Sequence, residues 1–303
     1  MNDAQRSAFL AELGRRCPSL RFAEKEPMSR HTSFRIGGEC DAMLFPASEE
    51  EIRTAAELLA AAGETPLVIG NGTNLLVTGG PLHRIVLRMG EAFSSVQGEG
   101  DALEACAGIS LAQLAVTAAR RGLAGLEFAH GIPGTLGGAV GMNAGAYGGE
   151  MKDVVVSVTW LDPELRVRTS SETEMGYRHS RFSDTKDIIL SARVALSGDD
   201  PEAIQERMRS LLERRRASQP LELPSAGSTF KRPAGGYAAA LIDRAGLRGF
   251  AVGGAQVSEK HAGFVVNRGG ATFDDVIALI EHIREEVLRT SGIELEPEVK
   301  IIR

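Results

Sequence analysis

A tight glycine turn after a short apolar stretch can hold a negatively charged group, and residues 70–74, GNGTN, form such a turn. Backbone N–H groups of Gly70, Asn71 and Gly72 can make a small anion nest, with the Thr73 hydroxyl and the Asn74 amide beside them. The turn lacks the third glycine of a G-x-G-x-x-G element and the Gly-Lys-Ser/Thr ending of a Walker loop. This counts against a nicotinamide-binding or nucleotide-hydrolysing domain. A plain connecting turn has the same composition.

The stretch GIPGTLGGAVGMNAGAYGGE at 131–150 is more specific. Gly131, Gly134, Gly137, Gly138, Gly141 and Gly145 leave an almost bare backbone, with Thr135 and Asn143 as polar contributors. Bare backbone suits a large flat ligand; tight packing of small residues between layers is the equally weighted alternative. Three further side chains stand in distinctive settings: Arg178 in YRHSRF, Ser228 in GSTFKRP and Glu298 in LEPEV. Taken alone they read as an ion-pair arginine, a serine satisfying nearby backbone groups and a solvated edge-strand acid. His31 and His130 sit beside no carboxylate in sequence, and loop histidines ordinarily hydrogen-bond locally. No two histidines stand at metal-ligand spacing, and Cys17, Cys40 and Cys106 match no zinc or redox motif, so no metal is expected.

These residues must be held by a mixed α and β framework. An amphipathic stretch from about Gln5 to Arg16 leads into the polar connection HTSFRIGG at 31–38. Ser48 with Glu51 has capping-box spacing before a helix ending at Gly63, and Ser110 with Gln113 repeats it before a helix ending near Gly122. PLVIG at 66–70, RIVLR at 84–88 and a stretch around 103–108 read as strands. The 131–150 segment reads as loop with one helical turn, 154–169 as a hairpin broken at Asp162-Pro163-Glu164, and 187–196 as another strand. A charged helix at 201–218 reads as a boundary element. Beyond it lie the loop QPLELPSAGSTFKRP, a helix from Tyr237 to Ala245 closed by Gly246, and strands at 251–257 and 263–267. A long helix from Phe273, capped by Thr272 and Asp275, precedes a terminal strand, IELEPEVKIIR. The evenly alternating units of a doubly wound sheet are missing.

With 303 residues, two or three compact units are expected. A net charge of -6 and no lysine-rich run argue against nucleic acid as a partner. The polar first residues exclude a signal peptide, and no window is apolar enough to span a bilayer, so a cytoplasmic protein is expected. Without a heptad seam, a monomer is the default.

HTSFRIGG, GNGTN followed by LLV, the 131–150 segment, YRHSRF and GSTFKRP occur in one order across about residues 30 to 300. This array resembles the MurB family, the UDP-N-acetylenolpyruvoylglucosamine reductases of peptidoglycan synthesis. The short C-terminal part with PSAGSTFKRP is similar to its type II branch. The resemblance implies an α+β fold: a helical lead at 1–30, an FAD-binding region of the vanillyl-alcohol-oxidase (PCMH) type at 31–196, and a smaller α+β substrate-binding domain at 197–303. It also implies non-covalent FAD and NADPH as hydride donor. The pyrophosphate falls to Gly70, Asn71, Gly72, Thr73 and Asn74, and the isoalloxazine or ribityl chain to Gly131, Pro133, Gly134, Thr135, Gly137, Asn143, Gly145 and Ala146. Asn71 stands where the family commonly has glycine and Thr73 where serine is common; asparagine tolerates a left-handed backbone and threonine keeps a hydroxyl.

By the same resemblance, Ser228 is the proton donor, and Arg178 and Glu298 stabilise the reacting carboxylate. The pattern places its glutamate immediately before Val299, which disfavours Glu294 and Glu296. The implied substrate is UDP-N-acetylglucosamine enolpyruvate. Lys231 and Arg232 either bind its diphosphate or, for Lys231, assist Ser228. The alternatives are another FAD-dependent oxidoreductase of the same fold and a non-catalytic flavin- or nucleotide-sugar-binding module.

Overall fold

The computed structural model describes residues 1–303 as two compact units. The first comprises 1–25, 41–71 and 83–213, and the second 26–40, 72–82 and 214–303. The units therefore do not follow chain order: two short N-terminal segments fold with the C-terminal third. The charged helix Pro201–Ser218 contains the last crossover, at Glu213.

Local sequence explains most elements of the first unit. Helix Asp3–Arg16 starts from an Asn2–Gln5 capping box. In helix Glu49–Ala61, Ser48 accepts from the Glu51 N–H, yet the Glu51 carboxylate reaches the Ala47 N–H (2.7 Å) and the Ser19 hydroxyl (2.7 Å) instead of closing the box. Both helices and a four-stranded sheet, in order 21–24, 40–45, 82–88, 67–69, enclose a core of Leu13, Leu44, Ile52, Leu59 and Leu87. A five-stranded sheet, in order 167–170, 155–161, 188–195, 102–106, 96–97, forms the second layer system. Helix Leu111–Arg120 buries Leu111, Leu114, Ala115, Ala118 and Ala119 against it, a one-faced stripe at helical spacing. Leu114 is fully buried, so Leu114→Ala would cost about 2–5 kcal/mol.

In the second unit a four-stranded antiparallel sheet, in order 225–228, 264–267, 255–257, 251–252, packs with helices Ala238–Arg244 and Phe273–Ser291. The long helix begins with a reciprocal Thr272–Asp275 box and ends on Gly292, whose φ of 70° gives the left-handed cap that glycine supplies. Strand Leu75–Val77 pairs in parallel with Lys300–Ile302.

Three expectations need correction. The segment expected as loop up to Pro233 contains strand Ser225–Ser228, hidden because serine, alanine and glycine carry little strand propensity. The terminal strand is only Lys300–Ile302; Pro297 cannot donate to a ladder, and the chain before it makes isolated bonds instead. The stretch 251–257 is a hairpin, Ala251–Val252 with Ala255–Val257, turning at Gly253, φ 53°.

Candidate active site

In the first unit the two glycine-rich segments meet. Strand Leu67–Ile69 delivers Gly70 and Asn71, and the Asn71 amide donates to Pro133 O at 2.9 Å. Asn71 keeps an ordinary backbone; the left-handed residue of the turn is Gly72, φ 60°. A Cβ on Gly70 would lie 2.1 Å from Thr135 Oγ1, so glycine here leaves room for the Thr135 side chain. The 131–137 stretch is pinned from below: the Leu111 N–H donates to Gly134 O (3.1 Å), and the N–H groups of Leu136 and Gly137 donate to Ile109 O and Ala107 O (2.9 Å each).

Thr135 is 2% exposed, and its hydroxyl is buried without a partner although it precedes helix Leu136–Gly141. An orphaned buried hydroxyl costs about 1–3 kcal/mol. Set between bare glycines 70 and 138, it is what a cofactor oxygen would satisfy, so the residues present fit a large ligand such as FAD. Gly145 and Ala146 form a small hairpin with Gly149 and Glu150.

Asn143 turns its side chain into the protein. It is fully buried, φ 45°, and its amide is spent inside the protein: Nδ2 donates to Glu150 Oε2 (2.6 Å) and Gly176 O (2.8 Å), while Oδ1 accepts from the Lys152 N–H (2.9 Å). Arg178 sits half-buried with φ 54° in the two-residue tip of a turn closed by Gly176 and His179. Its guanidinium lies 5.2 Å from the Tyr177 ring centroid. The Glu150 carboxyl is held below its ordinary range chiefly by its hydrogen bond from Lys152, with Asn143 and the Arg178 charge adding to it. Glu150 closes the glycine stretch in sequence but carried no signal of this role. Arg181, three residues further along the same motif, is packed on Trp160 (4.2 Å) and Phe182 (4.7 Å) and serves the core. Burial pushes the His130 imidazole below its ordinary pKa, as for a structural histidine.

In the second unit Ser228 ends strand Ser225–Ser228 directly after a register shift against 264–267, with Gly227 at φ 76°. Such a bulge re-aims the next side chain. The adjoining Thr229 is locked: its hydroxyl accepts from the Val265 N–H (3.0 Å), its N–H donates to Gly263 O (2.8 Å), and its carbonyl accepts from the Glu298 N–H (2.8 Å). Ser228 and Glu298 are thus mounted on one hydrogen-bonded junction. Asn74 completes it, donating from Nδ2 to Glu298 O at 3.1 Å. Gly72 belongs to the same unit; a Cβ there would stand 2.0 Å from His31 O. Lys231 pairs with Glu296 at 2.5 Å, and Arg232 stacks 4.1 Å from the Tyr237 ring centroid. Glu294 is paired with Arg284 at 3.0 Å.

A family model for an FAD binding domain matches residues 40–171, and one for the C-terminal domain of UDP-N-acetylenolpyruvoylglucosamine reductase matches 219–302. A protein of that name from Heliobacterium modesticaldum is 48% identical over 92% of this chain and 90% of its own length. Another, from Agathobacter rectalis, is 46% identical over 97% and 98%. The crystal structure of the reductase from Thermus caldophilus superposes with a TM-score of 0.79 at 33% identity, covering 94% of this chain and 99% of that one. An alkyldihydroxyacetonephosphate synthase structure shares the fold alone, with a TM-score of 0.50 and 18% identity over 63% of this chain and 40% of that one. The α+β architecture with an FAD-binding region is thereby established.

Proposed function

The chain belongs to the UDP-N-acetylenolpyruvoylglucosamine reductase family, and on that premise we propose that it reduces the enolpyruvyl group of UDP-N-acetylglucosamine enolpyruvate to give UDP-N-acetylmuramate, with NADPH as electron donor. The observation that carries this reading is the junction of Thr229 O with the Glu298 N–H at 2.8 Å, which gives a proton donor and a carboxylate one rigid support.

FAD, when bound and reduced by NADPH, would supply hydride to the terminal carbon of the enolpyruvyl group. The 70–74 turn would hold its pyrophosphate, and Gly131, Pro133, Gly134, Thr135, Gly137, Gly145 and Ala146 its ring or ribityl chain. Charge then develops on the substrate carboxylate. The planar Arg178 guanidinium offers it two parallel donors, and Glu298 polarises or protonates the same group. Ser228 gives the proton to the neighbouring carbon; a placed general acid is worth about two to four orders of magnitude. Lys231, which pairs with Glu296, either meets the diphosphate or assists Ser228. The reading includes a monomeric enzyme of the cytoplasm; no helix is long and apolar enough to cross a membrane.

Anaerobic titration tests it. NADPH should bleach the flavin-loaded protein and the enolpyruvyl sugar nucleotide should restore its colour. Persistent colour with NADPH, or bleached flavin that the substrate leaves unchanged, would overturn the assignment.

A further inference from the structure

We infer that Asn143 is a positioning residue for Arg178, clamping the turn that carries it. The inference rests on the role given above to Arg178 and concerns a residue that the resemblance assigned to the flavin.

The 141–143 segment grips the turn from both ends. Gly141 O accepts from Ser180 Oγ (2.9 Å) and Ser183 Oγ (3.0 Å), after the turn, while Asn143 Nδ2 donates to Gly176 O (2.8 Å), before it. Between these anchors lies Arg178 at φ 54°, a conformation costly for a side chain of this size and kept only where the surroundings impose it. Gly176 O also accepts from the His179 N–H at 3.2 Å, so one carbonyl closes the turn and receives the clamp. The second Asn143 donor reaches Glu150 Oε2, a carboxylate paired chiefly with Lys152 and close enough to Arg178 for their charges to interact. One buried amide thus holds the backbone of the Arg178 turn and a carboxylate whose charge acts on Arg178. Asn143 touches neither ligand nor reacting atom in this scheme; it acts through Arg178.

Asparagine's own left-handed backbone decides the variants. Asn143→Asp keeps size, tolerates positive φ and still accepts from Lys152, but loses both Nδ2 bonds and sets a carboxylate against Glu150. Asn143→Gly keeps the backbone freely and removes the whole amide, which provides a second variant should the first fold poorly. Each is measured beside Arg178→Ala for bound flavin, for the rate of flavin reduction by NADPH, and for the rate of reoxidation by the enolpyruvyl sugar nucleotide. The expected result is retained flavin, reduction within about twofold of the parent and reoxidation slowed about tenfold or more, as a small misplacement of a binding group can cause. The double variant Asn143→Gly with Arg178→Ala should be no slower than Arg178→Ala alone. Slow reoxidation in Arg178→Ala with a normal rate in both Asn143 variants overturns the clamp and leaves the proposed function standing. Equal loss of flavin and of both half-reactions in the Asn143 variants also overturns it, in favour of the flavin contact. Normal reoxidation in Arg178→Ala removes the role of Arg178 itself, and the inference with it.

Discussion

The Asn74 side chain donates to Glu298 O at 3.1 Å, and the Lys300 N–H returns a bond to Asn74 O at 2.9 Å. The last residue of the glycine turn therefore holds the backbone of the acid expected to act on the substrate carboxylate. Asn74→Ala removes one hydrogen bond, worth about 0.5–1.5 kcal/mol. Thermal unfolding should show a midpoint lowered by a few degrees, and stopped-flow traces should show reoxidation by substrate slowed more than reduction by NADPH. Equal slowing of the two would mean that Asn74 serves the cofactor rather than Glu298.

Ser228→Ala separates the half-reactions more sharply. The hydroxyl follows the Gly227 bulge and Thr229 carries the bonds that hold the strand, so the fold should survive its loss. NADPH should still reduce the flavin at the parent rate, while transfer onward should fall about 10²- to 10⁴-fold. A parent-like rate of transfer would require another acid.

The parts legible in the sequence were those decided within one turn or one strand of chain. Ser48, Ser110 and Thr272 announced helix starts because a cap is a three-residue event. Strand Ser225–Ser228 was not legible because its pairing with 264–267 is set far along the chain, and its residues are too small to alternate. Leu75–Val77 with Lys300–Ile302 is longer-range still. For the candidate site, Ser228, Arg178 and Glu298 were singled out only through whole motifs, since each side chain alone is ordinary. Asn143 showed only that a polar residue stood among glycines; that its amide faces inward depends on Glu150 and Gly176 arriving beside it.

Thr135→Val should act with opposite sign on the apoprotein and the holoprotein. The methyl replaces a buried hydroxyl that has no partner, so the apoprotein should unfold at equal or higher denaturant. FAD, deprived of that donor, should bind about tenfold more weakly, a difference of about 1.4 kcal/mol, by fluorescence titration of the apoprotein. Unchanged FAD affinity would remove Thr135 from the cofactor contacts.

Asp162 makes the acid limb of stability testable at one residue. Burial alone would raise its pKa, but the Arg166 N–H (2.8 Å) and the guanidinium groups of Arg168 (3.0 Å) and Arg166 (2.9 Å) outweigh it and hold the carboxyl at about 2. The ordinary value is 3.8, so the folded protein is favoured by this ionisation above about pH 4 and loses that share as pH falls through about 2. Asp162→Asn should therefore be less stable than the parent at neutral pH, with the gap narrowing from about pH 4 downward and nearly closed at pH 2. Urea midpoints of the two proteins at neutral pH and at a series of values below pH 4 measure the gap directly. Other carboxylates with lowered pKa, such as Asp199 and Asp243, titrate in both proteins and cancel in the difference. A gap that stays constant across that range would show that shape and packing of the 162–166 turn, rather than the Asp162 charge, hold the hairpin.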